Sequence, residues 1–154
     1  MNTSETMPPI RPPVVAILNS NDDLVEMLRN VLEQAGFVTV SGHVDEARRG
    51  EFDLVNFVKQ HEPNVIVYDL VPPYDRSWNY LDLLRNSEPL HGRPVVLTSV
   101  NAARAMEVVG DSELVYEILG KPLDLDRVVT AVKEASKARP TPRGKKPKDI
   151  EKRR

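Results

Sequence analysis

The chain has 154 residues, of which 40% are hydrophobic and 29% charged, with a formal net charge of −2, which is typical of one globular domain with a single core. The absence of cysteine excludes disulfides, thiolate metal sites and cysteine nucleophiles. No apolar run reaches the ~20 residues of a membrane span, and the polar, Pro-rich start lacks the apolar core of a signal peptide, so we expect a cytoplasmic protein with no membrane partner.

Apolar runs, which indicate buried strands, alternate along the chain with segments of helical periodicity. The predicted elements are, in chain order, strand 14–18, helix 22–35, strand 37–40, a loop or helix start at 45–50, a helix from 54 that ends before 63, strand 65–68, a helix that includes 80–84, strand 95–97, helix 102–109, strand 115–119 and helix 124–137. Ser20, with Asp23 three residues later, is a possible N-cap of the first helix. Five strands alternating with five main helices favour a parallel sheet with helices on both faces.

Polar residues follow four of the predicted strands, where ligands and chemistry occur in sheets of this kind. The residues are Asn19 and Ser20 after the first strand, Asp69 after the third, Thr98 after the fourth, and Lys121 with Pro122 after the fifth. A carboxylate, a hydroxyl and an ammonium gathered there would form a phosphoryl-accepting site with Asp69 as the nucleophile.

These residues stand in four stretches that together resemble the response-regulator receiver domain over nearly all of residues 14–137. The stretches are VVAILNSNDDLVEMLRNVLEQAGF, PNVIVYDLVPP, RPVVLTSV and GKPLDLDRVVTAV. The resemblance implies a flavodoxin-like, doubly wound (βα)5 fold whose five-stranded parallel sheet has the order 2-1-3-4-5. It also implies that Asp69 is the phosphoacceptor, that Thr98 supplies the hydroxyl that follows phosphorylation, and that the bond between Lys121 and Pro122 is cis, as it usually is in that family.

The pocket departs from the family where receivers carry two acidic residues that hold Mg²⁺ together with the phosphoacceptor. Counted back from Gly36, those positions are Asn19 and Ser20. One carboxylate and an amide oxygen make a poor Mg²⁺ site, so we expect no cofactor, weak or absent Mg²⁺ binding, and slow or absent phosphorylation of Asp69. Two alternatives stay open: an Asp69–Lys121 ion pair that only ties the strands together, and a working phosphoacceptor.

Two further departures concern aromatic side chains. Receivers commonly have an aromatic residue three positions before the lysine; here that switch position is Ile118, and Tyr116 is expected on the same side of the strand. The alternative for Ile118 is ordinary packing. The segment after the third strand, PPYDRSWNY, is predicted to be a lengthened loop, in which Tyr74, Trp78 and Tyr80 either form a partner-binding surface or pack onto the sheet edge.

The charge of the chain is unevenly distributed. Residues 139–154 carry eight Lys or Arg and two acids, so this tail has a net charge of +6 and the preceding 138 residues one of −8. We predict a disordered segment at 1–12, a receiver-like domain at 13–138 and a basic, Pro-rich, disordered tail at 139–154. The tail either contacts nucleic acid weakly, an anionic surface or the body of the domain, or is simply a solvated end.

The resemblance implies a stand-alone, atypical receiver in two-component phosphorelay signalling. We expect it not to be an enzyme, and to act by binding a histidine kinase or another signalling protein. The first alternative is a true phosphorelay intermediate that accepts phosphate from a histidine kinase on Asp69. The second, from another class, is a small flavodoxin-like nucleotide-binding enzyme, which is disfavoured because no GxGxxG or GxxxxGKS/T loop follows any strand.

Overall fold

The computed structural model of the protein describes residues 11–137. The predicted basic tail and nearly all of the predicted disordered N-terminal segment lie outside the described residues. Within residues 11–137, none of the helices has the length and apolar character needed to cross a membrane.

A five-stranded parallel sheet forms the centre of the domain. Its strands are β1 (Val14–Leu18), β2 (Val38–Gly42), β3 (Val65–Asp69), β4 (Val95–Ser99) and β5 (Val115–Gly120). They lie in the order β2-β1-β3-β4-β5, and every neighbouring pair is parallel. The predicted flavodoxin-like fold with the order 2-1-3-4-5 is therefore confirmed.

The described residues form six helices, which cover both faces of the sheet. They are α1 (Asp22–Gln34), α2 (Val44–Arg48), α3 (Leu54–His61), α4 (Tyr74–Leu84), α5 (Ala102–Val109) and α6 (Leu125–Lys137). Side chains of α2 to α5 share one apolar core and those of α1 and α6 share the other. Successive residues of β3 contribute to alternate cores, because neighbouring side chains of a strand point to opposite faces. A central strand buried on both faces explains the continuous apolar runs of the sequence.

Local structure differs from the prediction at two helix starts. The cap of α1 is Asn21, whose Oδ1 accepts a hydrogen bond from the backbone N–H of Leu24 at 3.1 Å, so the assignment of Ser20 as the cap is wrong. Helix α4 begins at Tyr74, directly after Pro73, so the segment predicted to be a lengthened loop is mostly helical. Proline before a helix and an acid in its first turn are start signals, and Asp75 supplies the acid here.

A β-bulge in β5 changes which residues share a face. Val95 lies opposite Val115, but the next residue, Val96, lies opposite Glu117, so one residue of β5 is extra. Tyr116 packs with the α1 and α6 core, while Ile118 packs with the opposite core. The expectation that Tyr116 and Ile118 face the same side is wrong, because a bulge interrupts the alternation of side chains along a strand.

Candidate functional site

Asp69 is the last residue of β3, and its side chain lies at the carboxyl end of the sheet. The strand VIVYD is buried throughout, and Asp69 itself is only 4% exposed. The N–H of the next residue, Leu70, donates to the carbonyl oxygen of Thr98 at 2.8 Å, which holds the chain after β3 against β4. A carboxylate as buried as this one needs hydrogen-bond or charge partners.

Thr98 and Lys121 supply those partners. Thr98 lies opposite Asp69 in the β3–β4 register, and its hydroxyl donates to Asp69 Oδ1 at 2.7 Å. The backbone N–H of Lys121 donates to the carbonyl oxygen of Ser99 at 2.8 Å, which fixes the residue beside the end of β4. Lys121 Nζ then lies 2.8 Å from the same Oδ1 of Asp69, and the peptide bond between Lys121 and Pro122 is cis. The structure thus brings together the carboxylate, the hydroxyl and the ammonium that the strand ends predicted.

The charges of Asp69 and Lys121 balance each other. The Asp69 side chain is buried and that of Lys121 is partly buried, so their attraction is screened less than that of a surface pair. Oδ1 of Asp69 carries both the hydrogen bond from Thr98 and the ion pair with Lys121. The carboxylate is therefore stabilised by groups of the chain itself.

Asn19 and Ser20 lie at the end of β1 but direct their oxygens elsewhere. Asn19 is 2% exposed, and its Oδ1 accepts a hydrogen bond from the backbone N–H of Asn21 at 2.8 Å. Ser20 Oγ accepts one from the backbone N–H of Asp45 at 3.0 Å, in the first turn of α2. Both side-chain oxygens thus accept hydrogen bonds from backbone N–H groups, and neither is directed at Asp69 as a metal ligand would be.

These donors do not fit the Mg²⁺ site of a complete receiver pocket. Mg²⁺ prefers near-octahedral oxygen ligation by carboxylates together with waters. Here the single carboxylate is paired with an ammonium, whose positive charge would repel an arriving cation. In the part of the chain that the structure describes, no three His, Cys, Asp or Glu side chains lie together in a group that could hold a metal ion.

The aromatic residues of α4 pack against the domain to different degrees. Trp78 is 6% exposed and belongs to the apolar core, so it is not available as an exposed anchor for a partner. Tyr74 and Tyr80 are partly buried against the same core. The Tyr80 hydroxyl donates to the carbonyl oxygen of Ala47 at 3.2 Å and so joins α4 to α2. For Trp78, local packing therefore replaces the partner-surface interpretation.

Two features near the site were not predicted from the sequence. Ser20 reaches α2, a contact that depends on where α2 packs and leaves no local sequence signal. Tyr68, the residue before Asp69, is fully buried, and its hydroxyl has no hydrogen-bond partner among the described residues. This burial raises the pKa of Tyr68. In the sequence, Tyr68 continues the apolar run of β3, and nothing there indicates that its hydroxyl is buried without a partner.

Comparisons with known proteins point to one class. No family model matches the chain. The chain is 28% identical over 137 residues to the DNA-binding transcriptional regulator NtrC of Bradyrhizobium sp. (strain RP501 Parasponia), a match that covers 89% of this chain and 27% of NtrC. It is 22% identical over 124 residues to the polar-differentiation response regulator DivK of Brucella ovis, covering 77% of this chain and 92% of DivK.

Solved structures share the fold. The chain superposes on a response regulator from Thermotoga maritima with a TM-score of 0.63 and 19% identity, over 82% of this chain and 98% of the other. In fold and in sequence, the chain is thus similar to response regulators and their receiver domains. The chain spans nearly all of DivK but only about a quarter of NtrC.

Proposed function

We propose that this protein is an atypical receiver that acts by protein–protein interaction, with Mg²⁺ binding weak or absent and phosphorylation of Asp69 slow or absent. The observation that carries the proposal is that Asn19 and Ser20 stand at the end of β1 in place of acids, with their oxygens engaged by the backbone N–H groups of Asn21 and Asp45. The proposed partner is a histidine kinase or another signalling protein, and the proposed role involves no turnover of a substrate. A cytoplasmic location remains a prediction.

The charge of the pocket supports this proposal. A complete receiver pocket has three carboxylates and one lysine, a net charge of −2 that calls for a divalent cation. Asp69 and Lys121 sum to zero here, and the amide of Asn19 and the hydroxyl of Ser20 add no charge. Without the metal, the charge of the transferring phosphoryl group is less compensated, so transfer to Asp69 should be slow.

Partner binding would then depend on a surface that exists without phosphate. The Asp69–Lys121 pair and the hydrogen bond from Thr98 hold the ends of β3, β4 and β5 in one arrangement. A phosphoryl group could shift the domain between two states only by its differential interaction with them, and it would first have to displace these contacts.

The proposal is tested by incubating the protein with acetyl phosphate and Mg²⁺ and measuring its intact mass, with Asp69→Asn as the control. We expect no stoichiometric increase of mass in the wild type. A stoichiometric phosphoryl adduct that is mapped to Asp69 and is missing from Asp69→Asn would overturn the proposal.

A second candidate function is that of a phosphorelay intermediate, which accepts a phosphoryl group from a histidine kinase on Asp69. It is favoured by the convergence of Asp69, Thr98 and Lys121 at the carboxyl end of the sheet. Phosphoryl transfer would require Lys121 to move from the carboxylate to the phosphoryl oxygens. The mass measurement separates the two functions, because only the phosphorelay intermediate predicts the adduct.

A further inference from the structure

Helix α2 links the β1–α1 loop to helix α4. At its first turn, the N–H of Asp45 donates to Ser20 Oγ at 3.0 Å, beside the carboxyl end of β1. In the next part of the helix, the carbonyl oxygen of Ala47 accepts a hydrogen bond from the Tyr80 hydroxyl at 3.2 Å. Val44 and Ala47 are buried in the core beneath. A displacement of α2 would therefore act on the loop that carries Asn19 and Ser20.

A cleft of about 420 Å³ lies between α2, the start of α3 and α4. Its volume lies within the range of small-molecule sites in proteins. Its main walls are Arg48, Phe52, Asp53, Leu54, Tyr80 and Leu84. Two aromatic rings and two leucines thus provide apolar surface, and two charged side chains provide polar contacts.

The Phe52 wall is held in place by close packing. A Cβ atom built on Gly42 would lie 2.7 Å from Cζ of Phe52, so the ring sits directly against the backbone of β2. The ring also packs against Phe57, with 5.0 Å between the centroids. A wall that is already fixed reduces the side-chain entropy that the protein must lose when a ligand binds against it.

The two charged residues of the cleft are not equally available. The Asp53 side chain caps α3 by accepting a hydrogen bond from the N–H of Asn56 at 3.0 Å. The Arg48 guanidinium makes one contact with Asp45, at 3.3 Å, and an arginine has five N–H donors with which it can bind a further oxyanion. Arg48 therefore favours an anion in the cleft, and the rings of Phe52 and Tyr80 favour an aromatic anion over an aliphatic one.

We propose that this cleft binds a small planar aromatic carboxylate, with the ring against Phe52 and Tyr80 and the carboxylate on Arg48. A ligand that competes with Asp45 for Arg48 would break the Asp45–Arg48 contact in α2. The resulting displacement of Asp45 would reach the β1–α1 loop through the hydrogen bond between Asp45 and Ser20. Such a ligand would serve as the input signal, because it would change the conformation of a receiver whose phosphorylation is slow or absent. The input role rests on the proposed function, whereas binding in the cleft does not.

The test is a titration of the ¹⁵N-labelled protein with naphthalene-2-carboxylate, followed by amide chemical shifts. The neutral isostere naphthalene-2-carboxamide is the matched probe. We expect saturable shifts at Arg48, Phe52 and Asp53 with the carboxylate, and little response to the carboxamide. Arg48→Met should raise the dissociation constant by about tenfold or more, since a charge-assisted hydrogen bond is lost. Arg76→Met, which removes an exposed arginine of α4 outside the cleft, should leave it unchanged.

Transmission through α2 has its own readout. With the wild type, we expect the carboxylate also to shift the amide of Asn21, and Ser20→Ala should abolish that shift while leaving the cleft shifts intact. The binding proposal is overturned if neither probe gives saturable shifts in the cleft, if both bind equally, or if Arg48→Met binds as well as the wild type. The input role is overturned if the Asn21 shift is absent or survives in Ser20→Ala. None of these results affects the acetyl phosphate measurement, so the two proposals fail separately.

Discussion

The two halves of the pocket at the carboxyl end of the sheet are built differently. At the ends of β3, β4 and β5, Thr98 and Lys121 reach the same oxygen of Asp69, at 2.7 and 2.8 Å. At the end of β1, Asn19 and Ser20 give their oxygens to backbone N–H groups instead. Strand order brings all these residues to one edge of the sheet, but hydrogen bonding decides which of them share a site.

Removal of the ammonium should have the largest effect on this arrangement. Lys121→Met leaves the Asp69 carboxylate buried with only the Thr98 hydroxyl as a partner. We expect the free energy of unfolding to fall by about 2–3 kcal/mol, somewhat less than a fully buried pair costs when it is broken, because Lys121 is partly exposed. Urea unfolding at neutral pH measures this change.

The control for that prediction is the double variant Asp69→Asn/Lys121→Met, which removes both charges. It should recover much of the lost free energy, since no unpaired charge remains. A loss of less than about 0.5 kcal/mol in Lys121→Met would show that the pair contributes little to stability, as an exposed ion pair does.

Restoration of the missing acids should give the pocket a metal site. In Asn19→Asp/Ser20→Asp, two carboxylates are added beside Asp69, so Mg²⁺ should raise the free energy of unfolding, by about 1.4 kcal/mol at ten times its dissociation constant. The wild type should show no such increase. Thermal unfolding with and without Mg²⁺ compares the two proteins, and an unresponsive double variant would mean that these two positions do not face the metal site.

The strands and their order could be predicted because buried parallel strands leave continuous apolar runs. Asp69, Thr98 and Lys121 could be predicted because each follows such a run. The contact between Ser20 and α2 could not, since it joins residues 25 positions apart and depends on the packing of a five-residue helix. The bulge at Tyr116 could not be predicted either, because neither Tyr116 nor its neighbours Val115 and Glu117 is a glycine or proline that would mark it.

Loss of the Ser20 hydroxyl should have a moderate effect. Ser20→Ala leaves the N–H of Asp45 at the start of α2 without its acceptor, so the free energy of unfolding should fall by about 1 kcal/mol, as for the loss of a helix cap. Ser20→Thr keeps the hydroxyl and is the matched control. If urea unfolding gives the same midpoint for Ser20→Ala and Ser20→Thr, the hydrogen bond to α2 does not stabilise the loop.

The smallest effect at neutral pH is expected at Tyr68, whose hydroxyl, unlike the Asp69 carboxylate, is buried without a partner among the described residues. Tyr68→Phe should leave the free energy of unfolding unchanged or raise it by up to about 1 kcal/mol. Burial raises the pKa of Tyr68, so above about pH 10 the unfolded chain loses this proton while the folded chain keeps it. The wild type should then lose stability relative to Tyr68→Phe as the pH rises, and urea unfolding near pH 8 and near pH 10.5 compares them. A constant difference across this range would contradict the expected pKa.

The central claim is that the pocket is already satisfied by Thr98 and Lys121 and does not assemble a metal-dependent phosphoryl site. It is tested most directly by adding Mg²⁺ and beryllofluoride to the ¹⁵N-labelled wild type and following the amides of Asp69, Thr98 and Lys121. The account predicts no saturable shifts at these amides in the wild type. Saturable shifts at all three, dependent on Mg²⁺ and lost in Asp69→Asn, would contradict it.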